Sequence, residues 1–399
     1  MPNKKAGAGR AYSAELRTEA ERERPRELGH IDGPLTMLTL LLLLVGLVVL
    51  FSASYATAYA NEDGNSTFYI YRQGAFAAAG VAVMFVLSKF NYHKLHYLAI
   101  PALVAAVLLM ATIKVPGLRS LWVTRNQATR WIALPGIGQF QPSELAKVAV
   151  ILSFSSIATI YGEKKMHTLR YGLLPFLFII GVFAVEMKWE KHLSGTVIIA
   201  LIGMLIVYIG GANLFWLVSG AGVGVAGGVW YILNNAYAKT RIQVWLHPFE
   251  FFRGKGWQGA NSLIAIGSGG FWGLGLGQGR QKQLYLPEPA NDFIFSVACE
   301  ELGFVGAVLI LLIFAALIWR GYYIALHAND KFGTLLAAGI TTQIAVQVVI
   351  NLCVVTGLSP VTGASLPFFS YGGTALLIQL AEMGILLAIS RKMPAPEEG

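Results

Sequence analysis

Residues 35 to 51 read Leu35-Thr-Met-Leu-Thr-Leu-Leu-Leu-Leu-Leu-Val-Gly-Leu-Val-Val-Leu-Phe51, without one charged side chain. With its flanks this run reaches the roughly 20 mostly apolar residues that a helix needs to cross a bilayer. Nine more such runs follow it, so that ten spans are expected at about 33–56, 68–88, 95–113, 143–161, 171–187, 193–210, 213–233, 296–319, 332–355 and 366–390. The composition agrees: 55% of the 399 residues are apolar, a further 44 are glycine, and only 13% are charged. A soluble chain of this size could not bury that much apolar surface. The expected fold class is therefore all-α, a polytopic membrane protein of about ten transmembrane helices.

Working outward, the first thirty residues are polar and mixed in charge, with no short apolar core before a small-residue cleavage site. They are expected to be a cytoplasmic tail, residues 31–390 a membrane domain with a large outer loop at 236–295, and residues 391–399 a second cytoplasmic tail. The orientation rests on Lys and Arg in short flanks. Sixteen cations, from Lys4 through Lys89, Lys94, Lys164, Lys165, Arg170, Arg320 and Lys331 to Arg391 and Lys392, fall on the N-terminal side. Two outer segments, 114–142 and 236–295, depart from the rule; with the turn near 190 and the first outer loop, 57–67, the outside holds twelve cations against six acids. Long loops translocate regardless of charge, which accounts for either loop singly. The alternative is that cations placed against the topological preference meet an anion outside, such as the phosphates of a lipid-linked substrate.

Several chemistries find no support. The two cysteines, Cys299 and Cys353, lie at or inside apolar runs, where a thiol behaves as a small hydrophobe. The run Gly267–Gly279 has seven glycines in thirteen residues but neither dinucleotide nor phosphate-loop spacing. It reads as a flexible or re-entrant loop at the membrane surface. The stripe Gly220, Gly224, Gly228 is explained by helix packing. No Cys or His spacing suggests a structural transition metal, and no nucleic-acid partner is expected.

Two constellations could carry chemistry. Asp292 lies among aromatics just before the eighth span, in a chain whose other aspartates are Asp32, Asp63 and Asp330. It could simply cap that helix; alternatively, partial desolvation would raise its pKa and make it a useful general base. Glu144 and Lys147, one turn apart, can pair on one helix face. With Glu186, Glu300, Glu301, Glu382 and Arg72 they place enough charge at or inside apolar runs to suggest a polar cavity.

The blocks Arg130-Trp-Ile-Ala-Leu-Pro-Gly-Ile-Gly-Gln-Phe-Gln-Pro-Ser-Glu-Leu-Ala-Lys147, Trp257-Gln258 with Ala265-Ile-Gly-Ser-Gly-Gly270, Tyr285-Leu-Pro-Glu-Pro-Ala-Asn-Asp-Phe-Ile-Phe295 with Glu300-Glu-Leu-Gly-Phe304, and Pro360-Val-Thr-Gly-Ala-Ser-Leu-Pro-Phe-Phe-Ser-Tyr-Gly-Gly373 resemble the SEDS family of bacterial cell-wall proteins. The likeness runs from about 31 to 390 and, with the charged N-tail and Val355-Thr-Gly357, leans toward the FtsW-like branch. It departs from the common Pro-Asp-Leu-Gly-Thr block, reading Lys191-His-Leu-Ser-Gly-Thr196, so that no role of that Asp carries over to His192.

The resemblance implies a peptidoglycan glycosyltransferase that polymerises lipid II into β-1,4 glycan at the outer face of the cytoplasmic membrane. It implies a class B penicillin-binding protein and other division proteins as partners, at the septum. The reaction inverts the sugar in one displacement, needing one base and no strong acid, because pyrophosphate leaves as a stabilised anion. Asp292 is the expected base. Arg130, Gln141, Ser143, Glu144, Lys147, Arg241, Trp257, Gln258, Lys282, Glu300 and Ser370 are the expected substrate contacts. A divalent cation, Mg or Mn, bridging the phosphates fits the chemistry, with no ligand set legible. A lipid flippase and a non-catalytic division scaffold are the rival readings.

Overall fold

The computed structural model describes residues 29–115, 117, 121–125, 128–134, 138–190 and 192–393. Most of the two expected tails, together with Arg119 and Lys191, lies outside the described residues.

The long helices are α1 (Gly33–Asn61), α2 (Phe68–Leu87), α3 (Leu95–Ala111), α4 (Pro142–Met166), α5 (Leu174–Trp189), α6 (Leu193–Ile209), α7 (Leu214–Asn234), α8 (Ala236–Leu246), α9 (Trp257–Gly269), α10 (Ile294–Leu326), α11 (Lys331–Val355) and α12 (Gly373–Ser390). Among the described residues eight helical segments are long and apolar enough to cross a membrane, and the shorter apolar helices 194–209 and 214–230 supply the sixth and seventh expected runs. The ten-helix expectation is met.

Polarity decides which helices sit centrally. α11 carries Thr341, Thr342, Gln343, Gln347 and Asn351, all buried, because amides and hydroxyls facing lipid would lose their hydrogen bonds. α4, α11 and α12 are accordingly the most enclosed spans, with α2, α3 and α5 more lipid-exposed. α12 packs along α2, α3 along α4, and α1 along α10. At the α2–α12 crossing a Cβ on Gly384 would fall 2.6 Å from the carbonyl of Met84, so only glycine permits that approach.

One end of the bundle gathers both described chain ends. Gly29 N–H donates to the Arg391 carbonyl at 3.0 Å, and Asp32, which caps α1 by accepting from Leu35 N–H, pairs with Arg320 at 2.7 Å. The opposite end is built from the start of α4, the turn between α5 and α6, and the segments preceding α10 and α12.

At that end the structure departs from the expected simple loops. Segment 114–142 contains three antiparallel strands, β1 (Trp122–Arg125), β2 (Ala128–Leu134) and β3 (Gly138–Phe140), in sequence order. Trp131 is paired to Val123 and Ile132 to Phe140, an alternation too short to stand out by eye beside the apolar helices. The 236–295 connection holds α8 and α9. The eighth expected run extends to Leu326, and the tenth begins at Gly373 rather than 366.

The glycine-rich run is also corrected. Rather than flexible, it is packed: after the last residues of α9, Leu274 and Gly275 N–H donate to the carbonyls of Glu300 and Glu301, and Phe304 and Val305 N–H donate to those of Gly270 and Phe271. α10 breaks at Gly303, with φ 67°, where its backbone meets this turn. A Cβ there would lie 2.2 Å from Gly273 N, so glycine is required on both conformational and steric grounds.

Candidate active site

A cavity of about 620 Å³ opens at the strand-bearing end of the bundle. Nine of the twelve expected site residues line it: Asp292, Arg130, Gln141, Ser143, Glu144, Lys147, Arg241, Gln258 and Ser370. They arrive from β2, the start of α4, α8, α9, the loop before α10 and the segment before α12.

Local structure explains each position. Proline at the first turn of α4 starts the helix, and Gln141 Nε2 donates to Ser143 Oγ at 2.9 Å beside it. Lys147 Nζ meets Glu144 Oε2 at 2.7 Å with both side chains buried, as the one-turn spacing predicts. β2 delivers Arg130, also buried. Arg241 rides on α8, which Trp245 ties to the Gly357 carbonyl by an indole hydrogen bond of 2.7 Å.

The backbone around Asp292 is held from α11 and from the segment before α12. Asn351 Nδ2 donates to the Asp292 carbonyl at 2.8 Å, Ser370 Oγ to the Asn291 carbonyl at 2.7 Å, and Tyr371 N–H to the Ala290 carbonyl at 2.8 Å. The capping role for Asp292 is not what the structure has, since Phe293 occupies the cap of α10 with no side-chain bond. Instead the carboxylate faces the arginine: a Cβ on Gly363, at φ +75°, would fall 3.3 Å from Asp292 Oδ2 and 2.8 Å from Arg130 Nη1. Burial, with Glu288 nearby, pushes the Asp292 pKa up to about 6 against the opposing pull of Arg130. That is the range in which a carboxylate is both ionised at neutral pH and basic enough to take a proton.

Three expected contacts lie elsewhere. Lys282 is buried, its ammonium on Glu301 Oε1 at 2.5 Å and on Ser52 Oγ at 2.6 Å. Glu300 accepts from the N–H groups of Arg280, at 2.8 Å, and Gln281, at 3.2 Å. Both residues fasten the outer loop to α10 and α1, because a buried charge needs its partners inside the protein. Trp257 packs against Phe252 with the rings tilted by 54° and is not part of the cavity lining.

The cavity also recruits residues that motif reading did not nominate as contacts: Glu62, Tyr69, Arg72, His192, Glu288 and Gln347. Gln347 was the findable one, standing one turn from Gln343 and Asn351 in an otherwise apolar helix. The lining balances four cations, Arg72, Arg130, Lys147 and Arg241, against Glu62, Glu144, Glu288 and Asp292. The outer cation surplus is therefore not concentrated here; Lys239, Arg253, Lys255 and Arg280 are exposed at the surface. Among the described residues no group of three or more His, Cys, Asp or Glu side chains could hold a metal ion.

These features define a polytopic helical membrane protein with a charged cavity at one membrane face, floored by a desolvated carboxylate beside an arginine. The chain belongs to the FtsW/RodA/SpoVE family, described as cell cycle proteins, whose model matches residues 34–394. It is 40% identical over 363 residues to stage V sporulation protein E of Bacillus subtilis, covering 90% of this chain and 97% of that one. It is 34% identical to a probable peptidoglycan glycosyltransferase FtsW of Geobacter sp., covering 92% and 99%. Among solved structures it is similar to a chain from a study of polymerisation and crosslinking by a peptidoglycan synthase complex, with TM-score 0.73, 26% identity and coverage of 90% and 98%. The rod shape determining protein RodA of Thermus thermophilus matches with TM-score 0.65, 25% identity and coverage of 92% and 99%.

Proposed function

We propose that this protein is a peptidoglycan glycosyltransferase that polymerises lipid II into β-1,4 glycan strands at the outer face of the cytoplasmic membrane. The observation that carries the reading is Asp292, raised to about 6 and set against Arg130 in a cavity that also presents Lys147. Asp292 takes the proton from the 4-hydroxyl of the acceptor sugar as that oxygen forms a bond to C1 of the donor. The donor's bond to pyrophosphate breaks on the opposite face, which inverts the configuration in a single displacement. Unlike hydrolysis with two carboxylates, the departure needs charge neutralisation rather than a proton, and Arg130, Lys147 and Arg241 are placed for that. No step runs through a metal, although a divalent cation held by the phosphates themselves is compatible with the chemistry.

A class B penicillin-binding protein is the proposed partner, supported by the likeness to a peptidoglycan synthase chain. The proposed setting is the division septum, among other division proteins, with both termini cytoplasmic. Cationic Lys89, Lys94, Arg391 and Lys392 at the end that gathers both described chain ends support that orientation.

The test is glycan synthesis from lipid II by purified protein, alone and with its partner. Synthesis by the native chain and its loss in Asp292→Asn supports the enzyme; lipid translocation that survives Asp292→Asn, without synthesis by either, would favour a flippase.

A further inference from the structure

At the junction of α5 and α6, beside the cavity, lie buried polar atoms with no hydrogen-bond partner among the described residues: both carboxylate oxygens of Glu190, Oε2 of Glu186, and Nδ1 of His192. An orphaned buried polar atom costs free energy unless something else satisfies it. Of these side chains His192 is the one that lines the cavity, together with Arg130, Lys147 and Asp292.

His192 stands immediately before α6 and makes no capping bond. Its ring lies against Gly195, where a Cβ would fall 2.9 Å from Nδ1, so the His-Leu-Ser-Gly block makes room for an imidazole. Burial and the two cations Arg130 and Lys147 hold the ring neutral in the empty protein, well below the ordinary histidine range. The positive end of α6 acts in the same direction. The carboxylates of the cavity lining are Glu62 after α1, Glu144 from α4, and Glu288 and Asp292 from the loop before α10, its other cations are Arg72 from α2 and Arg241 from α8, and Glu186 of α5 and Glu190 just after it lie beside the lining. Burial pushes Glu190 up to about 8, and so that group supplies little compensating negative charge at neutral pH.

An arriving diphosphate changes this balance. Its negative charge offsets Arg130 and Lys147, which are what oppose protonation, and adds an attraction of its own. We propose that His192 is a diphosphate-binding residue of this cavity, taking one proton from solvent as the lipid diphosphate binds and giving it back when the diphosphate leaves. No bond to carbon or phosphorus changes in that step. The proposal rests on the glycosyltransferase reading and extends it: substrate affinity is tied to pH through a residue other than the base.

The experiment uses the full-length protein in detergent with undecaprenyl pyrophosphate as the probe, in an Asp292→Asn background so that neither turnover nor the base contributes. Calorimetry at pH 7.5 in two buffers of different ionisation enthalpy counts protons taken up on binding. The expected result is that adding His192→Gln removes most of one proton from that count. Affinity should also weaken about tenfold at pH 6.5, as for loss of one charge-assisted hydrogen bond, and the gap should narrow toward pH 9. His192→Asn repeats the test, and the histidine ring carbon shifts of labelled unsubstituted protein, with and without the probe, give an arm that needs no substitution. Equal proton uptake and equal affinity with and without His192, or ring shifts that stay neutral on binding, would overturn the proposal while leaving the enzyme reading intact. No binding of the probe by the Asp292→Asn protein would remove both.

Discussion

Lys147 Nζ sits 2.7 Å from Glu144 Oε2, one helical turn away, and the exposure of both side chains is 6% or less. Neither charge can be removed alone without stranding the other. Lys147→Gln should therefore lower both turnover and stability, the latter by about 3 kcal/mol or more as for other broken buried pairs. Adding Glu144→Gln should restore most of the stability but not the turnover, because two neutral amides can bond to each other and still cannot neutralise a diphosphate. Thermal unfolding beside a polymerisation assay separates the two effects. Recovery of turnover in the double variant would remove Lys147 from the chemistry.

Asp292→Asn is expected to reduce glycan synthesis by roughly 100-fold or more, the scale on which a positioned general base contributes. Folding should survive, since the side chain caps nothing and the carbonyl bond from Asn351 is independent of it. Near-normal synthesis by a folded Asp292→Asn protein would end the mechanism, with Glu288 the next carboxylate to test.

The same carboxyl sets a pH limb. With a pKa of about 6, Asp292 is ionised at neutral pH and loses its basic form as pH falls through that value. kcat/KM should fall tenfold per unit below it. Glu288→Gln removes a neighbour that raises the pKa and should move the limb to lower pH; Arg130→Gln removes the one that lowers it and should move the limb upward. Shifts of the opposite sign would mean that another group controls the limb.

The outer loop is fastened by carboxylates wholly inside the protein. Exchange of the amide hydrogens at Leu274, Gly275, Arg280 and Gln281 should be slow, as each donates to Glu300 or Glu301. Glu300→Gln should speed exchange at Arg280 and Gln281 more than at Leu274, whose partner is a backbone carbonyl. Fast exchange at all four in the native chain would mean that the turn is open in solution.

Topology can be read with an impermeant thiol reagent in a background lacking Cys299 and Cys353. Ser262 would be a poor labelling position, because it is fully buried and bonded to Ser296 and the Val355 carbonyl. Gln283 is exposed on the same connection. Gln283→Cys should label in intact cells; labelling only after the cells are opened would invert the membrane orientation.

The helices were legible because a membrane span is a one-dimensional signal of length and apolarity. Arg130, Gln141, Ser143, Glu144, Lys147, Asp292 and Ser370 were legible as members of long blocks, and the structure brings them to one cavity. Lys282 and Glu300 came from the same kind of reading and sit outside it, since a motif records that a residue matters without saying whether it meets ligand or holds a loop. Arg72 was legible only as a charge inside an apolar run, and His192 reaches the cavity through the packing of α6 against distant segments, which no local pattern encodes. The strands of 122–140 escaped because three short strands leave too few alternations to detect.

Ser52 belongs to α1, yet it donates to both oxygens of Glu301 and accepts from Lys282. The backbone from Lys282 runs on to Asp292 without another helix intervening. Heritable changes that tune this protein are therefore expected in a place that a survey of the cavity would overlook: a selection for altered wall growth should return alleles at Ser52. Such alleles would act by loosening or tightening the tether of a residue carried far along the chain, so that a spanning helix with no catalytic group becomes a genetic handle on the reaction.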